Sequence, residues 1–365
     1  MIILLTRKFK PETGGMETFS VTLDEQLPLP HTTIHFGHSQ RDIVWALPRL
    51  LWGAFTHRKT ATAYHLGDGV LAILAPLIRL FSPAPIFITI HALELTYNSA
   101  VLRFFIKKGL PACTHIVAVS DYTQKLLLSD PWNTPAERVT VIPHGAPMQN
   151  RENAPESART TSRESVQKTC QQIEHQNSSS ETIWLLTVGR LVERKGVAWF
   201  IEHCLPTIVA QHPQILYLVT GTGPEQATIE ATIKKVSMGH HVVLLGRVSD
   251  TLLIDLYRGA DIFVMPNIPI ANDAEGFGFV GIEAASYELP VIATTCEGIP
   301  TAIHDTKNGR LVEPRDAHAM TTQIIEWIQH PTERQAFGIA AAQYTKEHFD
   351  WPVIMQRYAT LFSEK

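Results

Sequence analysis

The sequence predicts an α/β fold in two similar halves, each built on a parallel β-sheet covered on both faces. Three observations carry this. Short apolar runs of strand length alternate with apolar helical stretches. The pattern opens at 2–6 (IILLT) and restarts at 183–189 (IWLLTVG). A polar stretch at 147–182, rich in Ser, Thr, Gln and Glu, separates the two runs. The length, 365 residues, suits two domains that each bury a core.

The elements follow in order. After IILLT comes a turn with Pro11, Gly14 and Gly15, then a helix from Met16 to about Gln26. Further strands are expected at 62–66, 86–90 (IFITI), 115–119 (HIVAV) and 138–142 (RVTVI). In the second half a loop with Arg190, Lys195 and Gly196 leads into a helix to about Ala210. Strands are expected there at 215–220 (ILYLVT), 241–245 (HVVLL), 261–265 (DIFVM) and 290–294 (PVIAT). The 147–182 stretch reads as a linker or surface insertion, mostly mobile, with a helical turn near 162–175. The last segment, 349–365, has apolar residues at helical spacing, with Trp351 and Pro352 at its start. The expected organisation is 1–146 plus a C-terminal helix at 350–365, then 147–182, then 183–349.

Composition excludes several classes. Hydrophobic residues are 45% and charged residues 18%, which rules out wholesale disorder. A net charge of −4 argues against a general nucleic-acid binder. Residues 1–150 hold 13 Lys/Arg against 10 Asp/Glu, and 151–365 hold 18 against 25. Cys113, Cys170, Cys204 and Cys296 form no C-x-x-C pair, so neither a disulfide framework nor a zinc site is expected. His31, His35 and His38 have only loose metal-like spacing. MIILLTRKFK is too short an apolar run for a signal peptide. The apolar stretch Gly69 to Leu80 is too short to span a bilayer. A cytoplasmic protein is expected, with contact to the inner face of a membrane left open.

Four loops carry the chemistry. EGFGFVGIE places Glu275 and Glu283 eight residues apart, with Gly276, Phe277 and Gly278 leading into a helix near Phe279 and Val280. A Gly-rich turn into a helix offers free N–H groups and a positive dipole end, which suits a diphosphate. Two carboxylates so spaced can hold different hydroxyl-bearing groups of one ligand. A capped surface helix with two ordinary acids is the plainer alternative. GRLVERKG, Gly189 to Gly196, puts the cations Arg190 and Lys195 at a strand end, a fit for a phosphorylated ligand or simply a solvated loop. GGME with Gly14 and Gly15, and TGTGP with Gly221 and Gly223, permit close backbone approach or are plain turns. Neither is G-x-G-x-x-G, which counts against a dinucleotide-binding dehydrogenase. His91 ends the IFITI strand, where parallel sheets place ligand contacts.

In order along the chain, GGME, HALE, VAVSDYTQKLL, VIPHGAP, GRLVERKG, TGTGP, LLGRVSDTLLIDLYRGADIFVMP, EGFGFVGIEAA and GIPTAIHDTKNGRLVEP resemble glycosyltransferase family 4. These are retaining enzymes of the two-Rossmann-domain (GT-B) class, and the likeness covers nearly everything outside 147–182. It implies two Rossmann-like doubly wound domains facing across a cleft, and transfer of a hexose from a nucleotide-sugar donor to a hydroxyl of a glycan or lipid-linked acceptor. It implies that Glu275 contacts hydroxyls of the sugar and Glu283 the ribose. Arg190 and Lys195 would neutralise the donor diphosphate. Gly15, with Gly14, would approach the phosphates, and His91 would face the sugar near the reacting carbon. The backbone at Arg247 and Val248 would form the base pocket, and the amides of Phe279 and Val280 the helix start. The last helix would cross back to the first domain.

Two departures stand out: Ala92 where many relatives have Gly after the His, and His144 where they usually have Asn, read as a hinge variation without consequence. The donor is expected to carry GDP or UDP, with GDP-mannose suggested by MPNIPIANDAEGFGF. No D-x-D occurs, so no cofactor is expected and a divalent cation is not expected to be essential. VWALPRLLWGAF (44–55) and VLRFFIKKGLPA (101–112) would either pack on the sheet with basic residues outward or rest on an anionic membrane. A catalytically degenerate sugar-nucleotide-binding protein and a GT-B-fold epimerase are the competing readings. Intact Arg190, Lys195, Glu275 and Glu283 argue against both.

Overall fold

A computed structural model describes residues 1–10, 14–36, 43–146, 157–172 and 182–364. The chain forms two compact units. The first comprises Met1–Gly145, Ala271–Phe279 and Phe349–Lys365; the second comprises Ala146–Ile270 and Val280–His348.

In the first unit the strands are β1 (Ile2–Thr6), β2 (His31–His35), β3 (Ala63–Leu66), β4 (Ile86–Ile90), β5 (His115–Ala118) and β6 (Val139–Val141). Its helices are α1 (Gly15–Gln26), α2 (Ile43–Thr56), α3 (Ala75–Arg79), α4 (Leu93–Thr96), α5 (Ala100–Gly109) and α6 (Asp121–Leu128). All six strands run parallel, in the order β2-β1-β3-β4-β5-β6. The interior strands are buried on both faces, which is why they read as unbroken apolar runs such as IFITI. One face packs Ile3, Leu5 and Ile88 against α2, α3 and α5. The other packs Ile2, Leu4 and Phe87 against Phe19 of α1 and the C-terminal helix Trp351–Glu364. Strand order reverses beside β1, so the carboxyl end of β1 is a switch point, the place where parallel sheets take ligands.

The second unit repeats the plan. Its strands are β7 (Ile183–Val188), β8 (Ile215–Thr220), β9 (Val242–Gly246), β10 (Ile262–Met265), β11 (Val291–Thr294) and β12 (Arg310–Val312). The order is β12-β11-β10-β7-β8-β9, all parallel, with the switch point between β7 and β10. The helices are α7 (Ser157–Gln172), α8 (Val197–His203), α9 (Leu205–Gln211), α10 (Gln226–Lys235), α11 (Asp250–Gly259), α12 (Phe279–Ser286), α13 (Ile299–Ala302), α14 (Ala317–Gln329) and α15 (Pro331–Phe349). The C-terminal helix of the first unit is α16.

Two features differ from the sequence expectations. β2 and β12 are strands that no apolar run marked: β2 reads HTTIH and lies at a sheet edge, half in water. The 147–182 linker, expected to be mostly mobile with a helical turn near 162–175, is corrected in its middle, where the turn is a full helix, α7, that packs on α11. Its outer parts, 147–156 and 173–181, lie outside the described residues. Charge holds α7 in place: Arg159 and Arg163 both pair with the buried Asp261, which also takes Arg334 and the Trp184 amide. Val166 is fully buried beneath it. The His31 ring meets the carbonyls of Leu29 and Asp24 at 2.7 and 2.8 Å, while His35 stacks on Phe9. His38 lies outside the described residues.

Candidate active site

In the second unit three loops meet at the carboxyl ends of β7, β8 and β9. The β7 loop leaves through Gly189, at φ 146°, and turns into α8 through Gly196, at φ 66°. Both angles lie in the region that L side chains avoid. A Cβ on Gly196 would clash with the Pro266 carbonyl, which follows β10 across the switch point. Gly221, at φ 126°, lies so close to the Gly189 carbonyl that a Cβ would overlap it, and Gly223 presses on the backbone of Leu191. Leu191 N–H donates to the Thr222 carbonyl at 3.0 Å, and Gly221 N–H to the Gly246 carbonyl at 2.8 Å. The TGTGP glycines therefore hold the GRLVERKG loop by backbone contact. This fixes Lys195 with its stem over Gly189, half-buried, and leaves Arg190 exposed. Arg247 is exposed and Val248 half-buried just past β9.

Glu283 lies on the second turn of α12 and accepts a 3.0 Å hydrogen bond from the Tyr257 hydroxyl. Tyr257 stacks on Tyr287 with centroids 5.2 Å apart. Burial pushes the Glu283 carboxyl up to about 7, and the Tyr257 hydrogen bond opposes that shift. The group thus sits where ligand contact can set its charge. Gly281 presses α12 against Met265 and Ile303, which seats Val280 and Glu283 at the strand ends.

In the first unit His91 closes β4. Its Nε2 lies 3.0 Å from the Gly67 carbonyl, which only accepts, so in the neutral ring Nε2 carries the proton. Its Nδ1 then accepts from Nε2 of His144 at 3.2 Å. The two rings stack with an interplanar angle of 11°, and Phe19 meets both edge-on. His144 is fully enclosed, and burial, followed by the charge of His91, holds its ring well below the usual histidine range. Sequence reasoning treated His144 as a variation without consequence; the structure makes it the partner of His91. The signal it lacked was a long-range contact that no local pattern encodes.

Ala92 adopts φ 77°, ψ −52°. The backbone keeps a conformation suited to glycine although alanine occupies it, at a cost on the order of 1–3 kcal/mol. Buried Glu94 holds the turn by accepting from the amides of His91 and Gly69. Gly276 lies against the same turn, since a Cβ there would overlap the His91 carbonyl. Phe277 and Phe279 meet His144 edge-on, and Phe279 continues to Trp351. Glu275 is buried in this segment.

At the carboxyl end of β1, Gly14 caps α1 and Gly15 opens it with free space around its Cα. The buried Glu17 in the first turn pairs with Lys8 at 2.9 Å, and Arg7 pairs with Asp68 at 3.0 Å. The predicted residues fall into two sets. His91, Glu275, Gly276, Phe277, Gly278 and Phe279 belong to the first unit with Gly14 and Gly15. Arg190, Lys195, Gly221, Gly223, Arg247, Val248, Val280 and Glu283 belong to the second. The two carboxylates of E-x7-E are thus divided between units. Tyr257 and Glu94 also escaped sequence reasoning, because their partners are set by the fold.

Two family models match the chain: Glycosyltransferase Family 4 over residues 5–149 and Glycosyl transferases group 1 over residues 170–344. The chain belongs to glycosyltransferase family 4. A similar relative is the GDP-mannose-dependent monoacylated alpha-(1-6)-phosphatidylinositol monomannoside mannosyltransferase of Corynebacterium glutamicum. It is 30% identical over 179 residues, 48% of this chain and 46% of that protein. The family 4 chain therefore spans about half the length of that relative. The phosphatidyl-myo-inositol mannosyltransferase of Mycolicibacterium smegmatis is 26% identical over 87% of this chain and 78% of its own. The solved structure of Anabaena Alr3699/HepE in complex with UDP is similar in fold, with a TM-score of 0.75 at 18% identity over 100% of both chains. The fold is GT-B, with two Rossmann-like α/β units.

Proposed function

We propose that this family 4 chain moves a hexose from a nucleoside-diphosphate sugar, GDP-mannose first among candidates, to a hydroxyl of a lipid-linked or glycan acceptor, with retention at the anomeric carbon. The observation that carries the reading is the second unit's loop cluster. Arg190 and Lys195 stand at its switch point on a loop braced by Gly221 and Gly223. Fixed cations aimed at a leaving diphosphate stabilise the charge that grows as the sugar–oxygen bond breaks. The name of the Corynebacterium relative supports GDP-mannose, and both names support an acceptor built on phosphatidylinositol.

In this reading the second unit holds the nucleotide. Glu283 accepts from the ribose hydroxyls, the backbone at Arg247 and Val248 borders the base, and the Phe279–Val280 amides open α12 toward phosphate. The first unit supplies Glu275 to the sugar hydroxyls, His91 near the reacting carbon, and the Gly14–Gly15 backbone near the phosphates. The acceptor oxygen attacks on the face the diphosphate leaves, and the departing phosphate takes the acceptor proton. No protein nucleophile takes part, and a divalent cation is not required.

The test is incubation with GDP-mannose or UDP-glucose and phosphatidylinositol in a chelator, with proton NMR of any glycolipid formed. An α-linked product from an α-linked donor supports the reading. A β-linked product overturns retention, and a strict requirement for added divalent metal overturns metal independence.

A further inference from the structure

Large apolar side chains stand exposed on one face of the first unit. Of the ten found exposed among the described residues, seven lie on α2, α3 with the residue after it, and α5. Trp45 is 73% exposed, Trp52 66% and Leu80 81%. α2 packs on α3, α5 packs on the Gly69–Leu74 turn that leads into α3, and together they bury Leu50, Ala54, Ile78 and Ile106 in one core. Each long helix is thus apolar on two sides, one in the core and one in water. On α2 the outer stripe is Trp45, Arg49 and Trp52; on α5 it is Val101, Phe104, Phe105 and Lys108. Both follow helical spacing.

Charge decides what such a face meets. Residues 43–60, 75–81 and 100–112 hold seven Lys/Arg and no Asp/Glu, in a chain of net charge −4. Arg58 lies 3.9 Å over the Phe55 ring and Lys108 5.8 Å over the Phe104 ring, so cation and aromatic stand together. A second copy of the chain would bring these like charges face to face. Interleaved Trp, Phe, Lys and Arg suit the boundary of an anionic bilayer, where rings enter the headgroup layer and cations meet lipid phosphates. An exposed apolar patch of this kind marks an interaction surface.

We propose that the α2–α3–α5 face of the first unit docks on an anionic lipid bilayer. The test is co-sedimentation of the full chain with vesicles of phosphatidylcholine alone and of an equal mixture with phosphatidylglycerol, without any sugar donor. The outcome is therefore independent of the transfer reading. The chain is expected to bind the mixed vesicles at least about tenfold more tightly than the neutral ones, and to release in high salt. The double variants Trp52→Ser/Phe104→Ser and Lys107→Glu/Lys108→Glu should each weaken binding by about tenfold with an unchanged thermal midpoint. Three results overturn the proposal: no binding to mixed vesicles, undiminished binding by both variants, or a dimer in light scattering that Trp52→Ser/Phe104→Ser converts to monomer.

Discussion

Nε2 of His144 stands 3.2 Å from Nδ1 of His91, and the two rings stack within 11° of parallel. The Gly67 carbonyl fixes the proton on the far nitrogen of His91, and His144 holds the tilt of the ring and donates to its Nδ1. His144 acts through His91 and is a positioning residue. His144→Ala should lower kcat by about tenfold to a hundredfold, the scale of a misplaced group, while the Kd for the nucleoside diphosphate stays within threefold. His144→Asn should restore part of the loss, since its amide can still donate. Unchanged kcat in a folded His144→Ala variant contradicts the role.

Ala92 carries strain at φ 77° that glycine would not. Ala92→Gly should therefore stabilise the chain by about 1 kcal/mol, after the entropy that glycine adds to the unfolded state. Urea unfolding of both proteins measures it. A destabilised Ala92→Gly would show that the turn is unstrained.

Gly221 requires its backbone angle and has no room beside the Gly189 carbonyl. Gly221→Ala should cost more than about 1 kcal/mol and should displace the loop that bears Arg190 and Lys195. Nucleotide affinity should fall with stability, and a variant equal to wild type in both contradicts the bracing role.

Acid should weaken the first unit. Burial, with the His91 charge second, pushes His65 down to about 3. Its unfolded value is about 6.5, so the unfolded chain takes the proton first as pH falls. The stability is present above about 6.5 and is lost progressively toward about 3, with about 2 kcal/mol gone at pH 5. Glu283 works in the opposite direction: raised to about 7, it lends stability below the unfolded carboxylate range that fades as pH rises to that value. Comparing wild type with His65→Gln isolates the histidine. The variant should lose about 2 kcal/mol less between pH 7 and pH 5, and an equal loss contradicts the assignment.

What the sequence could show was set by how local the determinants are. IFITI and ILYLVT are buried on both faces, so their apolar runs coincide with β4 and β8. The glycine loops were legible because positive φ demands glycine at Gly189, Gly196 and Gly221. β2 was not, because an edge strand tolerates HTTIH. α7 was legible only as a helical turn near 162–175, because it is held by Arg159 and Arg163 on Asp261, about a hundred residues away, rather than by an apolar stripe. The pairing of His144 with His91 was not legible for the same reason, since it is a contact 53 residues away.

The central claim is that Lys195 and Arg190 hold the diphosphate of a nucleotide-sugar donor. Isothermal titration of GDP, UDP and ADP into wild type and Lys195→Ala, in a chelator, tests it most directly. One nucleoside diphosphate should bind wild type, and Lys195→Ala should weaken it by about tenfold or more, the scale of a lost charge-assisted contact. Binding of that nucleotide with equal affinity by both proteins, or of none of the three by wild type, would contradict the account.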